Sequence, residues 1–286
     1  MSTTLVIPAR DAAATLEGCL AAVGRLDDPP ERVVVLDDGS TDATPAIART
    51  HGAEVLPVPG DGGLGNARNH ALAICTTSYL AFLNADCYPE RSWLTTLRAT
   101  LTATGAAVAG GRQRELRRGT WAERWKAIHL RQDLGDAFVA EPDFLSGGNL
   151  VLNLAQVRGV SFGTEFRTAY EDVAFCRALR GHGRRLVYDP TAIVDHDHPE
   201  TMRTLPRKVW SYGVHSRAVG NVTSVWAAPR AFVRMHRRPN DQVRRALVDD
   251  IRGVRPAYVA IDLYLLCASF VLFVDYGLRQ PATSVG

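Results

Sequence analysis

With 286 residues the chain is long enough for one large α/β domain or two ordinary ones, and its 33 Lys+Arg against 30 Asp+Glu leave it too weakly basic to read as a nucleic-acid binder. Apolar, charged and aromatic fractions are those of a globular protein without low-complexity tracts, which excludes a disordered chain. Lys126 and Lys208 are the only lysines, so Schiff-base and P-loop chemistry lack their residue, and any reaction must rest on carboxylates, His and Arg.

Thr4-Leu5-Val6-Ile7-Pro8 is an apolar run ended by proline, and the Ala-rich stretch from Ala12 to Val23, with Leu16 and Leu20 four apart, predicts a helix after it. Val33-Val34-Val35-Leu36 has the uniform apolar character of a strand buried on both faces of a parallel sheet. It ends abruptly in Asp37-Asp38-Gly39-Ser40-Thr41-Asp42. Ala43 to His51 then reads as helical, with Pro45 in the first turn and Asp42 as its cap. Ala53 to Leu56 is the next strand, the glycine-rich loop from Gly60 to Gly65 opens a helix from Asn66 to Ile74, and Tyr79 to Leu83 is again a buried strand. This alternation predicts a mostly parallel sheet with helices on both faces and ligands at the carboxyl ends of the strands.

Beyond Val108-Ala109-Gly110 the pattern changes. A helix is expected from Thr120 to Leu134, a loop around Glu141-Pro142, short strands at Leu150 to Leu152 and Leu186 to Tyr188, and an amphipathic helix from Glu171 to Gly181. Ala257 to Val274 is apolar but interrupted by Asp262. Its longest clean stretch falls short of the ~20 apolar residues a span needs, and an acid at mid-helix costs on the order of 3 kcal/mol on insertion. Two readings stand level: a helix buried or packed on a partner, as in a homo-oligomer, and a peripheral membrane contact aided by the basic residues between Arg203 and Arg255, Arg237-Arg238 among them. Cys19, Cys75, Cys87, Cys176 and Cys267 are scattered without zinc-ligand spacing or a disulfide framework, and the N-terminus has no signal-peptide character. Both point to the cytoplasm, with the inner membrane face as the surface such a contact would use.

Aspartates recur at strand ends: Asp37 and Asp38 after the second strand, Asp86 after the fourth. In a doubly wound sheet these ends face one crevice, where one carboxylate can bind a base or ribose and another can hold a divalent cation against a diphosphate. Taken singly, Asp-Gly-Ser and Asp-Cys-Tyr-Pro are equally well read as turn chemistry.

Taken in order, Val6-Ile7-Pro8-Ala9-Arg10-Asp11, Val34 to Asp42, Gly65-Asn66-Ala67-Arg68-Asn69, Phe82-Leu83-Asn84-Ala85-Asp86, Gly147-Gly148-Asn149, Glu171-Asp172-Val173 and Val194 to Pro199 resemble the inverting family 2 glycosyltransferases of GT-A fold. The resemblance spans roughly residues 3 to 220. It implies a Rossmann-type sheet flanked by helices, with residues 1–112 as the nucleotide-sugar half, 113–220 as the acceptor and catalytic half of the same domain, and 221–286 as a helical C-terminal extension.

It further implies that Pro8, Ala9 and Asp11 lie beside the nucleotide, that Asp38 contacts the base, and that Arg68 lies near the base or diphosphate. Asn84, Ala85 and Asp86 occupy the family's Asp-x-Asp position, with Asn84 replacing the first carboxylate and so weakening the charge available to a manganese or magnesium ion. His196, preferred to His198, restores a metal ligand beside Asp86. Gly148 and Asn149 approach the donor sugar, while Glu171-Asp172 supplies the general base, with Asp172 in that role. The donor is a UDP, GDP or dTDP sugar and the acceptor an unidentified hydroxyl compound. Trp121, Trp125, Trp210, Tyr212 and Trp226 read either as an acceptor-facing wall or as core. Two other functions fit a similar α/β half. A sugar-phosphate nucleotidyltransferase is disfavoured by the absence of a glycine-rich loop after the first strand, and a non-catalytic binding or assembly protein is disfavoured by Asp86, Asp172 and His196.

Overall fold

The computed structural model describes residues 2–164, 170–215 and 242–279. Their contacts divide into two compact units, one of Met1–Arg117 with Arg131–His198, the other of Arg118–Leu130 with the residues from Pro199 onward.

The first unit is built on one sheet. The strands β1 (Thr3–Ala9), β2 (Arg32–Asp37), β3 (Glu54–Pro57) and β4 (Tyr79–Leu83) are all parallel, in the order β3-β2-β1-β4. The helices α1 (Ala13–Val23), α2 (Thr44–Thr50) and α3 (Leu64–Ile74) join them, as the alternating pattern requires. Beyond β4 the sheet is mixed. It continues through β8 (Asn149–Asn153), antiparallel to β4, then β6 (Val108–Glu115), β9 (Leu186–His196) and β5 (Cys87–Pro89), while β7 (Val139–Ala140) pairs with β9.

Side chains alternate across the strands and feed two cores. Leu5, Ile7, Ala81 and Leu83 join one core with Leu16 of α1 and with Trp93, Leu94 and Leu97 of α4 (Trp93–Thr104). Val6, Val34, Leu36, Leu80 and Phe82 join the other with Ala67 and Ala71 of α3, Val157 of the short α6 (Leu154–Val157) and Phe175 and Leu179 of α7 (Glu171–Gly181). The uniform apolar runs of β1, β2 and β4 follow from this double-sided burial, at about 1.5–3 kcal/mol per large apolar side chain.

One carboxylate starts two helices. Asp42 accepts from Thr44 N at 2.9 Å through Oδ1 and from Ala13 N at 3.0 Å through Oδ2. This fixes the turns after β1 and β2 to each other.

The second unit is helical: α5 (Trp121–His129), α8 (Leu205–His215), α9 (Gln242–Arg252) and α10 (Pro256–Arg279). The α5 helix is shorter than the expected Thr120–Leu134, starting at a capping box between Thr120 and Glu123 and ending at Leu130. Trp125, Leu205, Val209, Val243, Ala246, Ile261 and Leu265 form its core. Among the described residues no helix is long and apolar enough to cross a membrane. Arg237, Arg238 and Trp226 lie outside the described residues, as does the side chain of Tyr212.

Candidate active site

The register of the parallel strands brings the first three motifs to one edge. Pro8 and Ala9 pair with Leu36 and Asp37, and Asp38 N donates to Ala9 O at 2.9 Å. Asp11 adopts a left-handed backbone, φ 46°, and its Oδ1 accepts from Thr41 N at 2.7 Å and Thr41 Oγ1 at 3.1 Å. Asp38 Oδ2 accepts from Gly63 N at 3.1 Å, so the glycine-rich loop folds back onto it, and Arg10 Nη1 lies 3.8 Å from the same oxygen. Pro8 and Ala9 are buried in β1, whereas Asp11 is exposed and Asp38 half-buried, so the two carboxylates face outward from a rigid strand end.

At the far end of β4, Asp86, His196 and His198 converge, their ligand atoms all within 4.8 Å of one another. One ladder and one backbone hydrogen bond make this happen. Cys87 pairs with His196 between β5 and β9, and Asp197 N donates to Asp86 O at 2.7 Å. His196 Nε2 lies 3.3 Å and His198 Nδ1 3.1 Å from Asp86 Oδ2, and His196 Nδ1 meets Glu115 Oε1 at 2.8 Å. Burial works to raise the Asp86 carboxyl, but the hydrogen bonds and charges of the two histidines outweigh it and hold Asp86 far below the usual carboxylate range. For His196 burial pulls downward, and the bonds to Asp86 and Glu115 turn the balance upward. One carboxylate and two imidazoles on rigid strand ends form an N/O donor set that fits a divalent cation. His198, ranked second from sequence, stands with His196 rather than apart from it. Glu115 was not foreseen; its signal was the polar end of an apolar strand, which alone does not reveal a partner.

Between these two ends runs the turn Ser146-Gly147-Gly148. A Cβ at position 147 would fall 2.5 Å from Arg68 Cζ, and one at 148 would fall 2.6 Å from Asn84 Nδ2, so glycine lets the turn approach both side chains closely. Gly147 N donates to Asp172 Oδ2 at 2.8 Å. Asp172, half-buried, opens α7, and Glu171 beside it is buried and bound to Arg68. Tyr170, just before them, holds a left-handed backbone at φ 83°, a costly conformation for an aromatic residue.

Two residues sit differently from their sequence expectation. Arg68, expected near the base or diphosphate, is 1% exposed, its guanidinium paired with Glu171. Asn149, expected at the donor sugar, is fully buried: its Oδ1 accepts from Trp93 Nε1 at 2.6 Å and its Nδ2 donates to Arg112 O at 2.9 Å. Both departures have one cause: long-range partners, Glu171 and Trp93, turn the side chains inward. Of the aromatic residues, Trp125 is core and bonds Asp262, Trp210 is half-buried, and Trp121 is 52% exposed.

The sequence model described as Glycosyl transferase family 2 matches residues 4–162, more than half of the chain. The chain belongs to glycosyl transferase family 2. Within the family, it is 32% identical over 219 residues to the pre-mycofactocin glycosyltransferase of Mycobacterium tuberculosis, covering 73% of this chain and 46% of that protein. It is 33% identical over 115 residues to glycosyltransferase AglE of Haloferax volcanii, covering 38% of each. The chain thus spans less than half the length of these relatives. Its fold is shared by solved structures. A Pyrobaculum calidifontis mannosyltransferase, in complex with GDP-Man and Mn2+, superposes with a TM-score of 0.62 at 16% identity over 97% of this chain and 87% of that one. TarS of S. aureus, residues 1–349 with UDP-GlcNAc, gives 0.60 at 16% identity over 99% and 93%.

Proposed function

We propose that this family 2 member is an inverting glycosyltransferase that moves a sugar from a nucleoside-diphosphate sugar to an acceptor hydroxyl. One observation carries the reading. The Gly147-Gly148 turn touches Asp172, Arg68 and Asn84 together, tying a carboxylate on α7 to the strand end whose Asp86 meets His196 and His198.

In an inverting displacement the acceptor oxygen attacks the anomeric carbon opposite the departing diphosphate, and its proton passes to a carboxylate within hydrogen-bond reach. Asp172 is that carboxylate. Its Oδ2 is oriented by Gly147 N and its Oδ1 by Val173 N, and each oxygen keeps a further lone pair for the acceptor. Pro8, Ala9, Asp11 and Asp38 receive the base and ribose, while Asn84, Ala85 and the Gly148 backbone line the donor side. Asp86, His196 and His198 would hold the cation, which when bound neutralises charge on the leaving diphosphate. Two imidazoles favour manganese over magnesium, which prefers oxygen ligands. The complexes of fold neighbours with UDP-GlcNAc and with GDP-Man and Mn2+ support this donor class. Incubation with UDP, GDP and dTDP sugars, with and without manganese, tests it by nucleotide release. A chain that binds and turns over none of them is not this enzyme.

The face of α10 that exposes Leu263, Tyr264 and Val271, with Ile251 and Val254 exposed in the preceding segment and Arg252 and Arg255 among them, supports peripheral contact with an anionic membrane surface on the cytoplasmic side. Cosedimentation with anionic but not neutral vesicles is expected. A dimer in solution without vesicle binding would assign the face to a second copy instead.

A further inference from the structure

Arg68 lies in the second turn of α3, and its surroundings are those of an interior cation rather than a phosphate receptor. Its side chain is 1% exposed and that of Glu171 3%, with Nη1 bonded to Glu171 Oε1. The rings of Phe82 and Phe162 flank the guanidinium, each with its centroid 5.7 Å from Cζ. The Gly147 backbone covers it, at a distance that excludes any Cβ. Its Nε is buried without a hydrogen-bond partner. A guanidinium binds phosphate by offering its N–H edges to an approaching ligand, and a buried pair of opposite charges is instead held by each other.

The pair stands directly behind Asp172. Glu171 is its neighbour in sequence, and Gly147, the residue whose N–H orients Asp172 Oδ2 at 2.8 Å, packs on the guanidinium. Burial lowers the Arg68 pKa, while the nearby Asp172 carboxylate acts to raise it, so the two groups sense one another electrostatically. Tyr170 enters the helix through a left-handed backbone at φ 83°, a conformation that persists only where surrounding contacts over-determine it.

We infer that Arg68 is a positioning residue for Asp172: it clamps Glu171 and the Gly147 turn so that the first turn of α7 holds the carboxylate toward the acceptor. This rests on the reading of Asp172 as the general base. Arg68 and Glu171 then act as a unit on the rate of the chemical step and not on nucleotide affinity.

The test uses the full chain with UDP and GDP plus manganese for binding, and with UDP-glucose, UDP-N-acetylglucosamine and GDP-mannose for turnover, water serving as acceptor where no other is known. Arg68→Lys keeps the charge but loses the fork that grips Glu171. Its expected effect is a fall in kcat on the order of a hundredfold, the scale of a misplaced catalytic group, with donor KM and nucleotide Kd unchanged. Glu171→Gln should show the same split, and the double variant should be no worse than either single one. Where a single variant fails to fold, Arg68→Met with Glu171→Leu replaces the pair by apolar side chains of similar size, a change buried pairs tolerate, and is expected to bind nucleotide normally while turning over slowly.

Nucleotide binding weakened about tenfold or more with kcat preserved would make Arg68 a phosphate ligand and overturn the inference. So would unchanged kcat in Arg68→Lys. Failure of the underlying reading looks different: Asp172→Asn would retain wild-type turnover, or the wild-type chain would bind no nucleotide, and either outcome removes the inference along with it.

Discussion

Glu115 and His196 are partners across the β6–β9 ladder, and Glu115 Oε1 meets His196 Nδ1 at 2.8 Å, leaving His196 Nε2 directed toward Asp86. A carboxylate on the far nitrogen fixes the tautomer and orientation of an imidazole ligand and raises its basicity. Glu115→Gln should therefore weaken manganese binding by about tenfold to a hundredfold while the fold is kept. Calorimetric titration of manganese into the two proteins, in the presence of UDP, is the check.

Asp86 is the one carboxylate in the cluster with His196 and His198. Chelation is expected to abolish turnover in the wild-type chain and added manganese to restore it, whereas Asp86→Asn should stay inactive at any manganese concentration. His198→Ala should need more manganese than the wild type to reach half-maximal rate. Metal-activation curves for the three proteins test this, and full activity after exhaustive chelation would refute it.

Trp93 Nε1 donates to Asn149 Oδ1 at 2.6 Å, in a site where both residues are fully buried. Trp93→Phe leaves that oxygen unsatisfied and should cost about 1–3 kcal/mol of stability. Urea denaturation measures the loss. Since Asn149 faces inward, UDP affinity should not change.

The alternation of strands and helices from Thr3 to Leu83 was legible because β1, β4 and the middle of β2 are buried on both faces and local apolar runs announce them, while β3, a more exposed edge strand, follows from its place in the alternation. β5 was not. Cys87-Tyr88-Pro89 reads locally as a turn, and it becomes a strand only by pairing with β9, more than a hundred residues away in the chain. That same pairing sets His196 beside Asp86, so motif order could suggest that these residues belong together but could not give their geometry. Asp38 and Asp86 could be singled out because strand ends mark them, whereas Asp11 and Asp172 entered only with the family resemblance, and the roles of all four are proposals. Arg68 and Asn149 were read as ligand contacts because nothing near them in sequence reveals Glu171 or Trp93.

In the helical unit, Asp262 is fully buried and accepts from Trp125 Nε1 at 2.7 Å, while Asp250, also fully buried, meets His129 Nε2 at 3.0 Å and Arg255 Nη1 at 3.2 Å. Burial raises the Asp262 carboxyl to about 7; the Trp125 bond pulls the other way and the charge of Asp250 adds to the rise. A carboxyl raised on folding binds its proton more tightly in the folded state, so its contribution is complete below the unfolded value near 4 and is lost as pH rises toward 7. His129, lowered by burial against the pull of Asp250, contributes the opposite slope below about pH 6.5. Comparing Asp262→Asn with the wild type isolates the carboxyl: the wild-type Tm should decline relative to the variant between about pH 4 and 7 and run parallel to it above. Parallel Tm curves would contradict the assignment.

We propose that Asp172 takes the acceptor proton. Its most direct measurement is the turnover of Asp172→Asn with the donor the wild-type chain uses, alongside nucleotide affinity by calorimetry. The predicted result is a kcat lower by about a hundredfold to ten-thousandfold with UDP or GDP binding intact. Wild-type turnover by Asp172→Asn would contradict it.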